Sequence, residues 1–177
     1  MIYLREITKS DLPIINKWRN DRNIVDMLGS PFRFINIETD ENWFQEYQNH
    51  RDRSIRLAIC DIDTNSIIGV VYLTDIDWIN RTARYNIMIG ETAYQNKGVG
   101  KSATDLMLEH AFNDMNLHKL WLRVLENNLK AISLYEKCGF IKEGVNRQHI
   151  FKNGMYVNLI AMGILKEEWV SLRNMVK

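Results

Sequence analysis

The sequence predicts an α/β (α+β) fold in which a single mixed, mostly antiparallel sheet is flanked by helices. Three observations carry that expectation. Ile55–Cys60, Ile67–Asp75 and Ala83–Gly90 are apolar runs joined by short polar turns, as in an antiparallel meander. A strand, a helix and a second strand then follow between Tyr85 and Val124, the order of a parallel crossover. No repeat, low-complexity tract or linker interrupts the chain, so residues 1–177 read as one domain with a sizeable core.

Ile2–Ile7 alternates apolar and polar side chains, as a half-buried strand does. Ser10 is expected to cap a helix that holds Pro13 in its first turn and repeats Leu12, Ile15 and Trp18 at helical spacing. Asn20–Pro31 is polar and broken, which suggests a loop around a short helical piece. A second helix is expected after Thr39, with Trp43, Phe44 and Tyr47 on its buried side.

The turns of the meander fall at residues 61–66 and 78–81. The crossover helix is expected from Lys101 to about Met115. Ala103, Met107, Ala111 and Met115 form one stripe, with Leu106, Leu108 and Phe112 beside it, so that helix should be largely buried. Lys119–Val124 follows as a strand. Asn128–Lys137 reads as a helix closed by Gly139. Phe140–Gly144 and Met155–Leu165 are expected as final strands around the turn Lys152-Asn153-Gly154, before a short polar tail, Lys166–Val176, that suits a helix.

Between the third meander strand and the crossover helix lies Gln95-Asn96-Lys97-Gly98-Val99-Gly100-Lys101-Ser102. Two glycines at a strand-to-helix passage let the backbone turn tightly and uncover its N–H groups. The first amides of a helix lack intrahelical partners and lie at the positive end of its dipole, which makes a seat for phosphate oxygens. A P-loop would require a glycine where Gln95 stands. The dinucleotide fingerprint is met by Gly98, Gly100 and Ala103, but its glycines belong directly after a strand that opens the domain. The pattern Q/R-x-x-G-x-G/A is met in full by Gln95, Gly98 and Gly100. The same glycines also suit a tight connection without a ligand.

Composition removes several function classes. Hydrophobic residues make up 46% and charged residues 25%, ordinary for a globular protein. With 23 basic and 22 acidic residues the net charge is +1, which leaves no footprint for nucleic acid or an anionic membrane. No run reaches the ~18 apolar residues of a membrane helix. With two cysteines, Cys60 and Cys138, and no export signal, a reduced cytoplasmic protein is expected.

Two motifs together resemble the GNAT acetyltransferase superfamily. One is the Gln95-x-x-Gly98-x-Gly100 loop after a strand. The other is Asn128-Leu129-Lys130-Ala131-Ile132-Ser133-Leu134-Tyr135-Glu136-Lys137-Cys138-Gly139-Phe140, which looks like the family's N-x-[RK]-A-x-x-x-Y-x-K-x-G-F segment. The resemblance extends from Ile2 to about Trp169. It is greatest for the branch of ribosomal-protein N-terminal, spermidine and nucleotide-amino-sugar acetyltransferases, and it implies a GNAT-like acyl-CoA N-acyltransferase fold.

The resemblance implies acetyl-CoA as co-substrate, with no metal. Amides of Gly98, Val99, Gly100, Lys101 and Ser102 would take the pyrophosphate, in a turn formed by Gln95, Asn96 and Lys97. The edge at Ile87 and Met88 would pair with the pantetheine arm as an added strand does. Asn128 would meet the cofactor near the thioester, and Tyr135 would protonate the departing thiolate. Plainer readings stand beside these: Asn128 as a helix cap, Tyr135 as a core tyrosine, Lys101 facing solvent, and Cys138 as a small apolar filler.

An alkylamine acceptor is mostly protonated at pH 7, so a base is needed. Asp75, Asp77 and Glu91 are candidates, and Asp75 is preferred because related polyamine enzymes resemble it with a Glu there. The acceptor wall of this branch would be Trp18–Phe34 with Glu38–Tyr47. It mixes Arg19, Arg22 and Arg33 with Asp21, Asp26, Glu38 and Glu41, and so leaves three partners open: a polyamine, an amino-sugar nucleotide or a protein N-terminus. A homodimer is compatible with the branch. The alternatives from other classes are a nucleotide-binding module and a non-catalytic acyl-CoA sensor.

Overall fold

The structure, a computed structural model, describes residues 1–175. Its seven strands form one sheet in the order β1-β2-β3-β4-β5-β7-β6. The mixed, mostly antiparallel sheet expected from the sequence is present. β1 (Ile2–Glu6), β2 (Ile55–Asp61), β3 (Ile67–Asp77) and β4 (Thr82–Ile89) run antiparallel to their neighbours, and β5 (Lys119–Leu125) joins β4 in parallel. β7 (Met155–Leu165) pairs antiparallel with both β5 and the edge strand β6 (Ile141–Lys152).

Two helical layers cover the sheet. On one face α1 (Leu12–Arg19), α2 (Arg22–Val25) and α3 (Ile37–Asn49) cover β1 to β3, burying Ile15, Trp18, Ile24 and Tyr47 against Ala58, Cys60 and Val70. On the other, α4 (Val99–Glu109), α5 (Leu129–Lys137) and α6 (Lys166–Met175) bury a larger core that includes Leu73, Tyr85, Met107, Phe112, Leu120 and Trp169. The alternation of strand side chains explains the division: Leu57, Val71 and Ile87 face the second core, while Arg56, Tyr72 and Asn86 share the first face.

Several boundaries differ from the sequence expectation. Ser10 does not cap α1. The chain enters through a 3-10 turn, Lys9–Asp11, after Thr8, whose amide donates to Asp11 Oδ2 at 2.8 Å. α3 begins at Ile37 because Asn36 accepts a hydrogen bond from the Thr39 amide. α4 begins at Val99, two residues early, and ends in a π-helical turn, His110–Asp114. Leu106 is exposed, whereas Thr104 is buried and donates to Gly100 O at 2.7 Å. The final hairpin is longer than expected. β6 continues to Lys152 across bulges near Glu143 and Arg147–His149, and left-handed Asn153 and Gly154 form the turn. The tail is helical to Met175, and Trp169 ties it to Phe112; Val176 lies outside the described residues.

Arg5 fixes β1 to the start of α1. Its guanidinium donates two bonds to the buried Asp11 carboxylate, at 2.7 and 2.8 Å. Burial pushes the Asp11 carboxyl up, but the Arg5 and Thr8 hydrogen bonds outweigh it and hold its pKa below the usual carboxylate value. A carboxyl depressed on folding stabilises above its unfolded pKa and loses that contribution as pH falls through the folded value. Asp11→Asn is therefore expected to lower stability by about 2–3 kcal/mol at pH 7. The gap to wild type should narrow below pH ~4. Urea denaturation at pH 7 and pH 3 checks this, and equal stabilities at pH 7 would refute it.

Candidate active site

The sheet is split at its centre. β4 and β5 pair only through Thr82–Lys119, Ala83–Leu120 and Arg84–Trp121, although β4 runs on to Ile89 and β5 to Leu125. Past Arg84 the strands part, leaving the β4 edge at Tyr85–Ile89, including Ile87 and Met88, without a strand partner on that side among the described residues. An extended amide-bearing arm can complete such an edge as an added strand.

The glycine loop closes one end of this opening. Gln95 Nε2 donates to Ile89 O at 3.0 Å, so its side chain ties the loop to the end of β4. Asn96 and Gly98 adopt left-handed backbone, with φ of 59° and 81°. Lys97 and Ser102 are exposed. Gly98 is the residue before α4, and the first turn closes with Ser102 N donating to Gly98 O at 3.0 Å. The amides of Val99, Gly100 and Lys101 therefore precede the first intrahelical donor, the Ser102 amide. A Cβ on Gly98 would enter open space above them, whereas one on Gly100 would meet Leu134 Cδ2 at 3.1 Å. The two glycines thus differ: Gly98 puts no side chain over the start of α4, and Gly100 brings α4 close to α5. Val99 contributes its amide from a buried side chain, and Lys101 pairs with Asp105 at 2.6 Å along the helix.

α5 supplies the other motif. Asn128 caps it by accepting from the Ala131 amide at 3.2 Å, while its Nδ2 donates to Met27 O at 2.9 Å. Tyr135, on the inner side of α5, packs edge-on against Tyr85 of β4, with ring centroids 6.1 Å apart. Its hydroxyl makes no hydrogen bond among the described residues, and burial pushes its pKa up to about 12. Cys138 is buried as well, its thiol pushed up to about 11, which suits an inert filler.

The three candidate bases separate. Asp77 accepts from the Ile79 and Asn80 amides and from Asn80 Nδ2, and these bonds lower its pKa; it is a turn former. Glu91 accepts the Trp18 indole N–H at 3.0 Å, and Trp18 lies where a Cβ on Gly90 would collide. Asp75 has no side-chain hydrogen bond among the described residues. It occupies a bulge with φ of 53°, exposed at the rim of an open cleft of about 320 Å³ that also touches Tyr47, Arg56 and Thr74. The cleft belongs to the α3 face, whereas Tyr135 approaches the sheet from the α5 face.

Sequence reasoning missed Arg56, Tyr72, Arg84 and Trp121. Arg56 pairs in register with Tyr72 and Tyr72 with Asn86; one row away, Thr74 pairs with Arg84 and Arg84 with Trp121. These side chains form the sheet surface beside the opening. Each arginine stands between apolar residues of its strand, Arg56 after Ile55 and Arg84 after Ala83, an alternation that was readable.

A split sheet whose opening ends at an uncovered helix N-terminus defines the class of proteins that hold an acyl-CoA thioester across a strand edge and transfer its acyl group. The acetyltransferase (GNAT) domain family matches residues 2–141, and the chain belongs to that family. It is 32% identical over 169 residues to a spermidine N(1)-acetyltransferase of Vibrio cholerae, covering 95% of each chain, and 29% identical over 182 residues to the Escherichia coli K12 enzyme of that name, covering 96% of this chain and 89% of the other. The crystal structure of spermidine N-acetyltransferase from Vibrio cholerae in complex with CoA and spermine superposes with a TM-score of 0.89 at 31% identity, over 96% of this chain and 98% of that one. The protein is accordingly an acetyl-CoA-dependent N-acetyltransferase, and its other substrate is an amine. Among the described residues, no helix is long and apolar enough to cross a membrane.

The loop geometry gives a direct test. Gly98→Val is expected to cost about 1–2 kcal/mol of stability through the left-handed backbone, and to weaken acetyl-CoA at least tenfold by covering the amides. Isothermal titration with acetyl-CoA, run beside ATP and NAD, should show binding of acetyl-CoA alone to the wild type. Undiminished binding by the variant would remove the loop from the site.

Proposed function

We propose that residues 1–177 act as one N-acetyltransferase domain in which the arrangement around the parted strands carries out direct acetyl transfer to a primary amine. The observation that carries the reading is the position of Tyr135, buried against Tyr85 at the start of the unpaired β4 edge, with an unengaged hydroxyl. The amides of Val99, Gly100 and Lys101 would hold the cofactor pyrophosphate, and Ile87 and Met88 would pair with its arm. Asn128 would stand beside the thioester end.

Asp75 takes a proton from the ammonium form of the acceptor, directly or through water. The amine nitrogen attacks the thioester carbonyl carbon, and the C–S bond breaks as the tetrahedral intermediate collapses. Tyr135 Oη gives its proton to the departing sulfur, and the second proton, shed by the nitrogen as the amide forms, passes through solvent and restores the phenol. Because burial favours the neutral phenol, the proton is in place throughout the physiological range. Likeness to the spermidine enzymes favours a polyamine as acceptor, and the arginines beside the opening favour an amine linked to phosphate, as in an amino-sugar nucleotide.

Tyr135→Phe is expected to lower kcat by about 10²–10⁴-fold while acetyl-CoA affinity stays within twofold. With its pKa near 12, wild-type kcat should show no alkaline decline below pH ~10. CoA-release assays across pH check both, and an unchanged kcat in the variant would exclude Tyr135 as the acid. Asp75→Ala should lower kcat/KM by about ten- to a hundredfold at pH 7, the loss shrinking as pH nears the amine's own pKa, where no base is needed. A loss independent of pH would assign Asp75 a structural role.

A further inference from the structure

On the acceptor side of the sheet, cationic and anionic groups are used very differently. Three acidic residues of the wall are already committed, while Asp26 keeps a buried oxygen without a hydrogen-bond partner among the described residues. Asp40, fully buried, takes Arg19 and Asn16; Glu41 faces Lys9 at 3.1 Å; Asp21 caps α2. Arg56, in the cleft beside Asp75, and Arg84, at the last paired rung of β4 and β5, have in contrast no carboxylate within ion-pair distance among the described residues. The Nε and Nη1 atoms of Arg56 and the Nε of Arg84 are buried without a hydrogen-bond partner. Their planes rest on aromatic rings instead: Arg56 Cζ lies 4.0 Å from the Trp43 ring centroid and Arg84 Cζ 5.7 Å from that of Trp121, which Arg123 also approaches at 5.5 Å.

A guanidinium stays charged throughout the physiological range, so partial burial without a counter-ion leaves donors unsatisfied. Burial pulls the Arg56 pKa down, and Arg19 nearby adds repulsion. Stacking on indole holds each plane in place yet leaves its outer N–H groups to be answered by a ligand. The registers set Arg56 two strands from β4 and Arg84 on β4 itself, on the order of 10 Å apart at the backbone. That span suits two arginines closing on one di-anionic group. Glu46 and Asp75 are the carboxylates left beside Arg56, and Asp75 is already assigned to the amine.

We propose that the acceptor is an amine that also carries an anionic group, phosphate or carboxylate, and that Arg56 and Arg84 select it. A polycation such as spermidine would meet these guanidinium groups in place of carboxylates, and like charges at this surface disfavour it. The inference rests on the acetyltransferase reading and specifies the substrate of the same site.

The test is titration of protein saturated with CoA, which occupies the glycine-loop anion seat, with UDP, glutarate and spermidine in turn. UDP binding that falls about 10–100-fold in Arg84→Gln and in Arg56→Gln is expected for a phosphate-linked amine; glutarate binding with the same sensitivity assigns a carboxylate. Arg84→Glu should abolish anion binding and gain affinity for spermidine. Thermal melts of the Arg56 variant, which loses its stack on Trp43, report folding separately, and Arg84→Gln keeps the test open if that variant unfolds. Tighter binding of spermidine than of either anion by the wild type, binding of neither anion, or anion binding indifferent to both substitutions would each overturn the proposal. Failure of CoA itself to bind would instead overturn the acetyltransferase reading.

Discussion

The structure turns on the place where β4 and β5 cease to pair. Backbone N–H and C=O groups in the middle of a sheet are normally all engaged, and leaving several unpaired is unfavourable unless a partner arrives. Here the unpaired stretch begins immediately after Arg84 pairs with Trp121. The elements around it hold the gap open. Gly90 admits the Trp18 ring at the far end of β4, Gln95 clasps the Ile89 carbonyl, and Gly100 lets α4 lie against Leu134 of α5. Each of these contacts fixes one side of the opening without filling it. The proposed cofactor site is thus a fault in sheet pairing that packing on both faces keeps from closing.

In the proposed mechanism that arrangement also lets Tyr135 and Asp75 act on one carbonyl from opposite directions. Tyr135 belongs to the core beneath α4 and α5, where burial keeps its proton on, while Asp75 is exposed on the α3 face, where solvent can exchange with it. The sheet separates a dry side, suited to protonating sulfur, from a wet side, suited to deprotonating an amine. In a continuous sheet the two would have no common atom to act upon. Parting the strands supplies a passage between them.

Most of the fold was legible because its signals are local. The meander rested on turn residues between apolar runs, the crossover on helix periodicity and the cofactor loop on Gln95, Gly98 and Gly100, and each depends on neighbours in sequence. What was not legible depends on distant partners. Ser10 has the chemistry of a cap, but Asp11 is held by Arg5 from β1, and that pair moves the start of the helix. The far half of β6 is mostly exposed, so it lacks a buried alternation to announce it. Asp77 and Glu91 read as well as Asp75 until their hydrogen bonds were seen. The gap between β4 and β5 leaves no mark in either strand, because each is normally paired on its other side.

The acceptor wall is anchored by two side chains whose sequence context gives no hint of it. Lys152, at the tip of the β6–β7 hairpin, is buried and donates to the carbonyls of Val25, Leu28 and Ser30 at 2.6, 2.7 and 3.0 Å. Asn128 takes the carbonyl of Met27 between them. Burial lowers the Lys152 pKa, but three carbonyl dipoles give its ammonium a complete set of acceptors. The segment after α2 is therefore tied at one point to the hairpin and at another to the first turn of α5, the helix that carries Tyr135. Asn128 thereby sets the distance between the acceptor wall and the helix bearing Tyr135, and its second Nδ2 hydrogen and second Oδ1 lone pair remain for the proposed contact with the cofactor. A wall fixed in this way has little freedom to remodel around an unsuitable amine, which leaves the charge of the sheet surface, Arg56 and Arg84, to decide which amine is accepted.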